Sequence, residues 1–327
     1  MLYPRIAGIA SYAPDDILDN EMLSKMVETT DEWITTRVGI KQRRILRSEG
    51  QGSSFLGIQA VNKLLESTGI NAEDIDLLIC ATSNPDYRFP STGSIIAHQC
   101  GLKNCYAYDI QAACAGFLVA LNDAAAYCRA GMYKNIVVVA AEKMSSMVNY
   151  ADRTTCTLFG DGAGCMLIQP SDKKVGIIDG VFHVDGEGLP HLVMKGGGSV
   201  HPTTQQTLDA GEHYLYQEGR SVYKHAVSNM LSSSLKVAER NNLTMDDVDW
   251  LVPHQANLRI IEAVAERAGI DHDKVLVNIE NYGNTSAASI PLCLDEYKEK
   301  LKPGDKLILT AFGAGFTWGA LYVIWDI

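Results

Sequence analysis

The sequence predicts an α/β protein built from two similar halves, and three observations predict it. Short apolar runs rich in valine, isoleucine and leucine alternate with longer segments whose apolar residues recur at helical spacing. The pattern Asp74-Ile75-Asp76-Leu77-Leu78-Ile79-Cys80, an acidic lead into a buried strand, returns roughly half a chain later as Asp247-Val248-Asp249-Trp250-Leu251-Val252-Pro253. At a similar interval Asn135–Ala141 is echoed by Lys306–Phe312, each after a helix and a Gly-bearing turn. A repeat of that length points to an ancestral doubling rather than a solenoid of short units. Strands alternating with helices imply mostly parallel sheets sandwiched with helices, whose ligands collect at the carboxyl ends of strands.

In chain order, Arg5–Ala10 reads as the first strand, and Asp19-Asn20-Glu21 begins a helical pattern. Thr30-Asp31 has the chemistry of a helix N-cap before Glu32-Trp33-Ile34, and a third helix over 54–68 stops at Gly69. Tyr106–Ile110 alternates like a strand, and Phe117–Tyr127 carries apolar residues at helical spacing. In the second half, Lys274–Ile279 is the expected counterpart of the Tyr106–Ile110 strand. The segment Phe159-Gly160-Asp161-Gly162-Ala163-Gly164 lacks a P-loop lysine and the spacing of a dinucleotide motif, so it reads as close backbone packing before a strand. Residues 186–211 read as a loop-rich stretch whose Gly196-Gly197-Gly198 is a mobile surface loop, and helix resumes near Glu218. A division into residues 1–172 and 173–327 follows from the repeat.

A length of 327 residues leaves ample core for two such halves. The net charge of -11 argues against nonspecific binding to nucleic acid or anionic membrane as the main role. The eight cysteines form no CxxC pair or metal-type cluster, and no apolar run approaches the roughly twenty residues of a membrane span. With no targeting segment visible, the expectation is a cytoplasmic protein with reduced thiols.

Three residues stand after apolar strand patterns. Cys114 falls between the Tyr106–Ile110 strand and the following helix, where unpaired N–H groups and the helix dipole favour a thiolate; it is equally the kind of small thiol found inert in a core. His254 suits either a satisfied core histidine or a functional imidazole. Asn284 follows Gly283 and suits a turn as well as a site. They lie far apart in sequence, so only the fold can unite them.

Cys114, His254-Gln255-Ala256-Asn257 and Asn281-Tyr282-Gly283-Asn284-Thr285-Ser286, in that order, resemble the thiolase-fold condensing enzymes, and among them the β-ketoacyl-acyl carrier protein synthase III family. Asp31-Glu32-Trp33-Ile34, Thr36–Ile40, Ala113–Phe117, Phe159–Gly164 and Ala311–Gly319 extend the resemblance nearly end to end. It implies a thiolase fold of two pseudo-twofold-related β/α halves in αβαβα layers. It also implies a homodimer that starts fatty acid synthesis by condensing an acyl-CoA primer with malonyl-acyl carrier protein, releasing CO2 and CoA. Cys114 would be the nucleophile, His254 and Asn284 the donors to the enolate, and the N–H groups of Cys114 and Ala314 the oxyanion site. Members commonly carry glycine where Ala314 stands, so its backbone must suit a residue with Cβ. The resemblance assigns Trp33, Arg37 and Arg153 to CoA, Phe89 to the acyl pocket across the dimer interface, and Lys224 and Arg259 to carrier-protein docking, with Glu266 replacing a family lysine. CoA thioesters enter as substrates, and no cofactor, metal, nucleic acid or membrane is called for. Elongating relatives use Cys/His/His, and thiolases place a second cysteine in the C-terminal glycine turn, which is absent here. The rivals are a related acyltransferase of secondary metabolism and a catalytically silent acyl-CoA-binding scaffold.

Overall fold

The computed structural model describes residues 2–327. One sheet has five strands in the order Tyr3–Tyr12, Asp161–Ser171, Ile136–Lys143, Leu77–Ala81, Tyr106–Ile110. The other has four, in the order Gly176–Val184, Thr317–Ile324, Lys306–Gly313, Trp250–Pro253. Read along these orders, each strand of the second sheet takes the place of one in the first, so the doubling seen in the sequence is a doubling of the sheet.

Five layers result. Helices Gly116–Arg129 and Ser289–Tyr297 lie between the two sheets, helices Ser53–Thr68 and Thr92–Gln99 cover the outer face of the first, and helices Gly219–Arg240 and Leu258–Ala268 cover that of the second. Strand periodicity explains the sorting. Leu77 and Ile79 face the central layer with Phe117 and Leu121, whereas Leu78 and Cys80 face the outer helices with Leu56 and Leu64. Because both faces are covered, strands such as Ile136–Ala141 are apolar throughout rather than alternating.

The sheets are mixed rather than mostly parallel. Leu77–Ala81 pairs parallel with both of its neighbours, and Trp250–Pro253 pairs parallel with Lys306–Gly313, but the remaining pairs are antiparallel. The reason lies in the connections. Ala314–Phe316 turns directly from one strand into the next, and residues 144–160 contain only short turns of helix, so neither link supplies the long crossover that a parallel pair needs.

The expected strand at Lys274–Ile279 is also absent, apart from a single bridge between Val275 and Leu251. Gln255 takes over its hydrogen bonds. The buried Gln255 amide accepts from the N–H groups of Asn278 (2.9 Å) and Ile279 (3.2 Å) and donates to the carbonyls of Pro253 (2.8 Å) and Leu276 (3.2 Å). A side chain thus replaces a ladder. Residues 186–218 form more than a surface loop: Leu192–Val193 pairs with Tyr216–Gln217, and Gln205–Asp209 is a short helix capped by Thr204. Among the described residues, no helix is long and apolar enough to cross a membrane.

Candidate active site

Two strand ends and the turn after the short helix Ile279–Tyr282 create the site. Cys114 sits in a 3-10 turn, Ala113–Ala115, between the Tyr106–Ile110 strand and the central helix Gly116–Arg129. Ala113 adopts φ +46, which a side chain tolerates poorly and which aims the next residue away from the strand. His254 follows the end of the Trp250–Pro253 strand, and its N–H donates to the Thr310 carbonyl at 2.8 Å. Asn284 is fixed by its backbone, donating to the Leu158 carbonyl (2.8 Å) and accepting from the Gly160 N–H (3.1 Å). Gly160 is required there, because a Cβ on it would lie 2.2 Å from the Tyr282 carbonyl. All three residues, with Ala314, line one cavity of about 910 Å³.

The electrostatics of each group follow from its neighbours. Burial pushes the Cys114 thiol up to about 12, opposed by the Ser286 hydroxyl and the residue's own N–H and reinforced by Glu142. Burial thus works against the thiolate that a helix N-terminus favours. Cys114 is part-buried and lines the cavity. His254 is 1% exposed, and burial lowers its pKa to about 3, so the imidazole is neutral. Its Nδ1 lies 2.7 Å from Ser289 Oγ, which also accepts from the Gln255 N–H at 3.2 Å. With that N–H already donating to it, the Ser289 proton is free for Nδ1, which assigns the imidazole proton to Nε2. Asn284 Oδ1 accepts from the Ser286 N–H at 2.8 Å, which fixes the amide and reserves its NH2 as the donor end.

Ala314 occupies the turn after the Lys306–Gly313 strand without positive φ, which falls instead on Gly315 (φ +142), so its Cβ costs no backbone strain. Gly313 beside it is indispensable for contact: a Cβ there would lie 2.6 Å from the Cys114 nitrogen. The two halves of the chain meet at that point.

Trp33, on the helix Asp31–Val38 capped by Thr30, has two guanidinium groups over its ring, Arg37 at 5.5 Å and Arg153 at 5.3 Å from the ring centre. Trp33 and Arg37 line the cavity, and Arg153 stands just outside it beside Thr154. Arg259 also lines it and lies over the Tyr223 ring at 5.6 Å. Lys224 is exposed on the neighbouring helix and Glu266 is exposed further along the helix of Arg259, both outside the cavity. Phe89 is 85% exposed and lines no part of its own chain's cavity.

Sequence reasoning missed several residues. Leu189, Leu192, Val193 and Met194, from the stretch read as loop, and Leu215 just beyond it wall the cavity. Ser289 orients His254, Gln255 supports the strand end, and Glu142 is a fully buried carboxyl behind Cys114. Glu142 did leave a trace, as an acid ending the unbroken apolar run Ile136–Ala141.

A layered, duplicated α/β fold with a cysteine and a neutral histidine at its strand ends, and an asparagine in the turn after the short helix Ile279–Tyr282, defines a condensing enzyme of the thiolase fold. Two models of 3-oxoacyl-[acyl-carrier-protein (ACP)] synthase III match the chain, one over residues 108–186 and the C-terminal one over residues 238–325. A β-ketoacyl-[acyl-carrier-protein] synthase III of Bacteroides thetaiotaomicron is 57% identical over 98% of this chain and 96% of its own. One from Porphyromonas gingivalis is 54% identical with the same coverage. The crystal structure of 3-oxoacyl-[acyl-carrier-protein] synthase III from Aquifex aeolicus superposes with a TM-score of 0.90 at 40% identity, over 98% of this chain and all of that one. The chain belongs to the 3-oxoacyl-[acyl-carrier-protein] synthase III family of condensing acyltransferases.

Proposed function

We propose that this chain joins an acyl-CoA primer to malonyl-acyl carrier protein through an acyl intermediate on Cys114. The Cys114 sulfur attacks the thioester carbonyl, the carbon–sulfur bond to CoA breaks, and CoA leaves as the thiol. Malonyl-carrier protein then enters and its carboxylate departs as CO2, which leaves an enolate. His254, through Nε2–H, and the Asn284 NH2 group donate to the enolate oxygen. The enolate carbon attacks the acyl carbonyl, whose oxyanion takes hydrogen bonds from the N–H groups of Cys114 and Ala314. Collapse releases 3-oxoacyl-carrier protein and the Cys114 sulfur, which regains a proton from water.

The observation that carries this reading is the pair of donor assignments. His254 and Asn284 line the same cavity as Cys114, and each has its other polar atom engaged, by Ser289 and by the Ser286 N–H. A neutral imidazole suits the role, since it donates without holding the enolate as an ion pair.

Trp33, Arg37 and Arg153 are proposed to hold the CoA nucleotide, and Lys224 and Arg259 to meet the acidic carrier protein. A homodimer is part of this reading. Phe89 is the residue proposed to close the partner's acyl pocket, and its exposure, with that of Tyr87 and Tyr106 near the open edge of the first sheet, fits a surface covered by a second copy. The proposed division at 172/173 falls between the last strand of the first sheet and the first strand of the second.

Intact-protein mass spectrometry tests the reading. An acyl-CoA should leave one adduct, mapped to Cys114, and malonyl-carrier protein should discharge it. An adduct on another cysteine overturns the nucleophile, and one that malonyl-carrier protein leaves in place overturns the acceptor.

A further inference from the structure

Behind Cys114 lies a carboxyl group that the condensation described above does not use. Glu142 is the last but one residue of the Ile136–Lys143 strand, with none of its surface exposed. Its oxygens are held by neutral donors: the Ser83 N–H reaches both at 3.1 Å, Thr82 Oγ1 lies 3.4 Å from Oε2, and Ser286 Oγ donates to Oε1 at 3.0 Å. Among the described residues no lysine or arginine forms an ion pair with it. An unpaired buried carboxyl is costly, and such groups are kept where they serve a purpose.

Ser286 connects it to the site. This residue takes φ +52, and its turn packs on the Cys114 turn, with Ala287 beside Gly116. Its N–H holds Asn284, its hydroxyl donates to Glu142, and Ser286 lines the cavity together with Cys114, where its hydroxyl eases ionisation of the thiol. Because the Ser286 proton is given to Glu142 Oε1, the Ser286 oxygen keeps its remaining lone pair available to accept a proton from Cys114.

We propose that Ser286 and Glu142 form a proton relay that activates Cys114 for acylation, with Ser286 at the sulfur and Glu142 acting through it as a positioning residue. The Cys114 proton passes to Ser286 Oγ as the Ser286 proton passes to Glu142. A thiolate and a neutral carboxyl remain, so the buried group carries one negative charge before and after. As the thiolate attacks and the carbon–sulfur bond to CoA breaks, the proton returns through Ser286 to the departing CoA sulfur, and Glu142 is again a carboxylate. Burial raises the Glu142 carboxyl to about 7, against the pull of its donors, which makes it a stronger base than an ordinary carboxylate. The other titratable groups facing it are the thiols of Cys114 and Cys80, both raised by burial. Asp86 and Asp109, near Cys80, are engaged by Ser54 and by the N–H groups of Thr92 and Gly93, and Lys143 points away to the Gln51 carbonyl.

This inference rests on Cys114 being the nucleophile, and the test separates the two. Acylation of Cys114 by an acyl-CoA is followed by rapid-quench mass spectrometry from pH 5.5 to 9, roughly two units to either side of the Glu142 titration, in the wild type, Glu142→Gln and Ser286→Ala. The expected wild-type rate rises through about pH 7 and levels off. Both variants should lose about 10²-fold near pH 7.5 and show a rate that climbs with pH without that inflection. A merely structural role would lower the rate without changing the profile. Ser286→Ala leaves the Ser83 and Thr82 contacts of Glu142 intact, so it carries the test if Glu142→Gln does not fold. Wild-type rates and profiles in both folded variants overturn the relay and leave the nucleophile standing, whereas a wild type that takes no acyl group on Cys114 overturns both.

Discussion

At the scale of single residues, His254 shows how burial sets both chemistry and stability. Its imidazole is lowered from an ordinary 6.5 to about 3, so the folded protein refuses a proton that the unfolded chain accepts. As pH falls below about 6.5 the unfolded state gains that proton, and the His254 contribution to stability declines steadily until about pH 3. Between pH 7 and pH 5 the wild type should lose about 2 kcal/mol more than His254→Asn, measured by urea denaturation at both pH values. Equal losses would mean that the folded imidazole takes up a proton as readily as the unfolded one. The same neutrality predicts that His254→Ala still acylates Cys114 but decarboxylates malonyl-carrier protein at least about 10²-fold more slowly, read by CO2 release. Undiminished release would remove His254 from the enolate site.

At the scale of elements, the legible and illegible parts separate by how local their causes are. The Thr30 cap, the Gly69 stop and the apolar strand Leu77–Ala81 are written in neighbouring residues, so the sequence reveals them. Cys114 and His254 were legible as candidates because strand ends gather in such folds, and Asn284 because its motif, like theirs, resembles a family. The lost strand at 274–279 was not, since Val275, Leu276 and Val277 have strand chemistry and their competitor, Gln255, reaches Asn278 from 23 positions away. Ser286 and Glu142 are 144 positions apart, beyond any periodicity. The Gln255 substitution makes a direct test. Gln255→Ala strips partners from four buried backbone groups, so a loss of about 3–5 kcal/mol is expected in urea denaturation. A loss under about 1 kcal/mol would show that those backbone groups find other partners. Gly313→Ala tests the contact of the two halves: a Cβ placed 2.6 Å from the Cys114 nitrogen must move the turn, and kcat should fall about 10²-fold with a smaller change in thermal stability.

At the scale of the whole molecule, the question is how a chain of net charge -11 receives an acidic carrier protein. Long-range repulsion between two anions slows their encounter unless cations are concentrated where they dock. Arg37, Arg220 and Arg259 line the cavity, and Lys224 stands beside them on the helix that bears Arg220, so the positive charge is local to the mouth. In the docking proposed above, Glu266 stands where the resemblance expects a lysine, which leaves Lys224 a larger share of the positive charge. Reversing this single charge should therefore be costly for one substrate only. Lys224→Glu is expected to raise KM for malonyl-carrier protein about 3–10-fold at low ionic strength, with the difference shrinking as salt shortens the range of charge interactions. Acylation by acyl-CoA in the absence of carrier protein supplies the reference, because it isolates nucleotide binding from protein docking. A KM that rises equally at low and high salt would assign Lys224 a packing role at the mouth. An unchanged KM at every salt concentration would move the docking surface away from this helix, toward Arg259 and the helix that carries it.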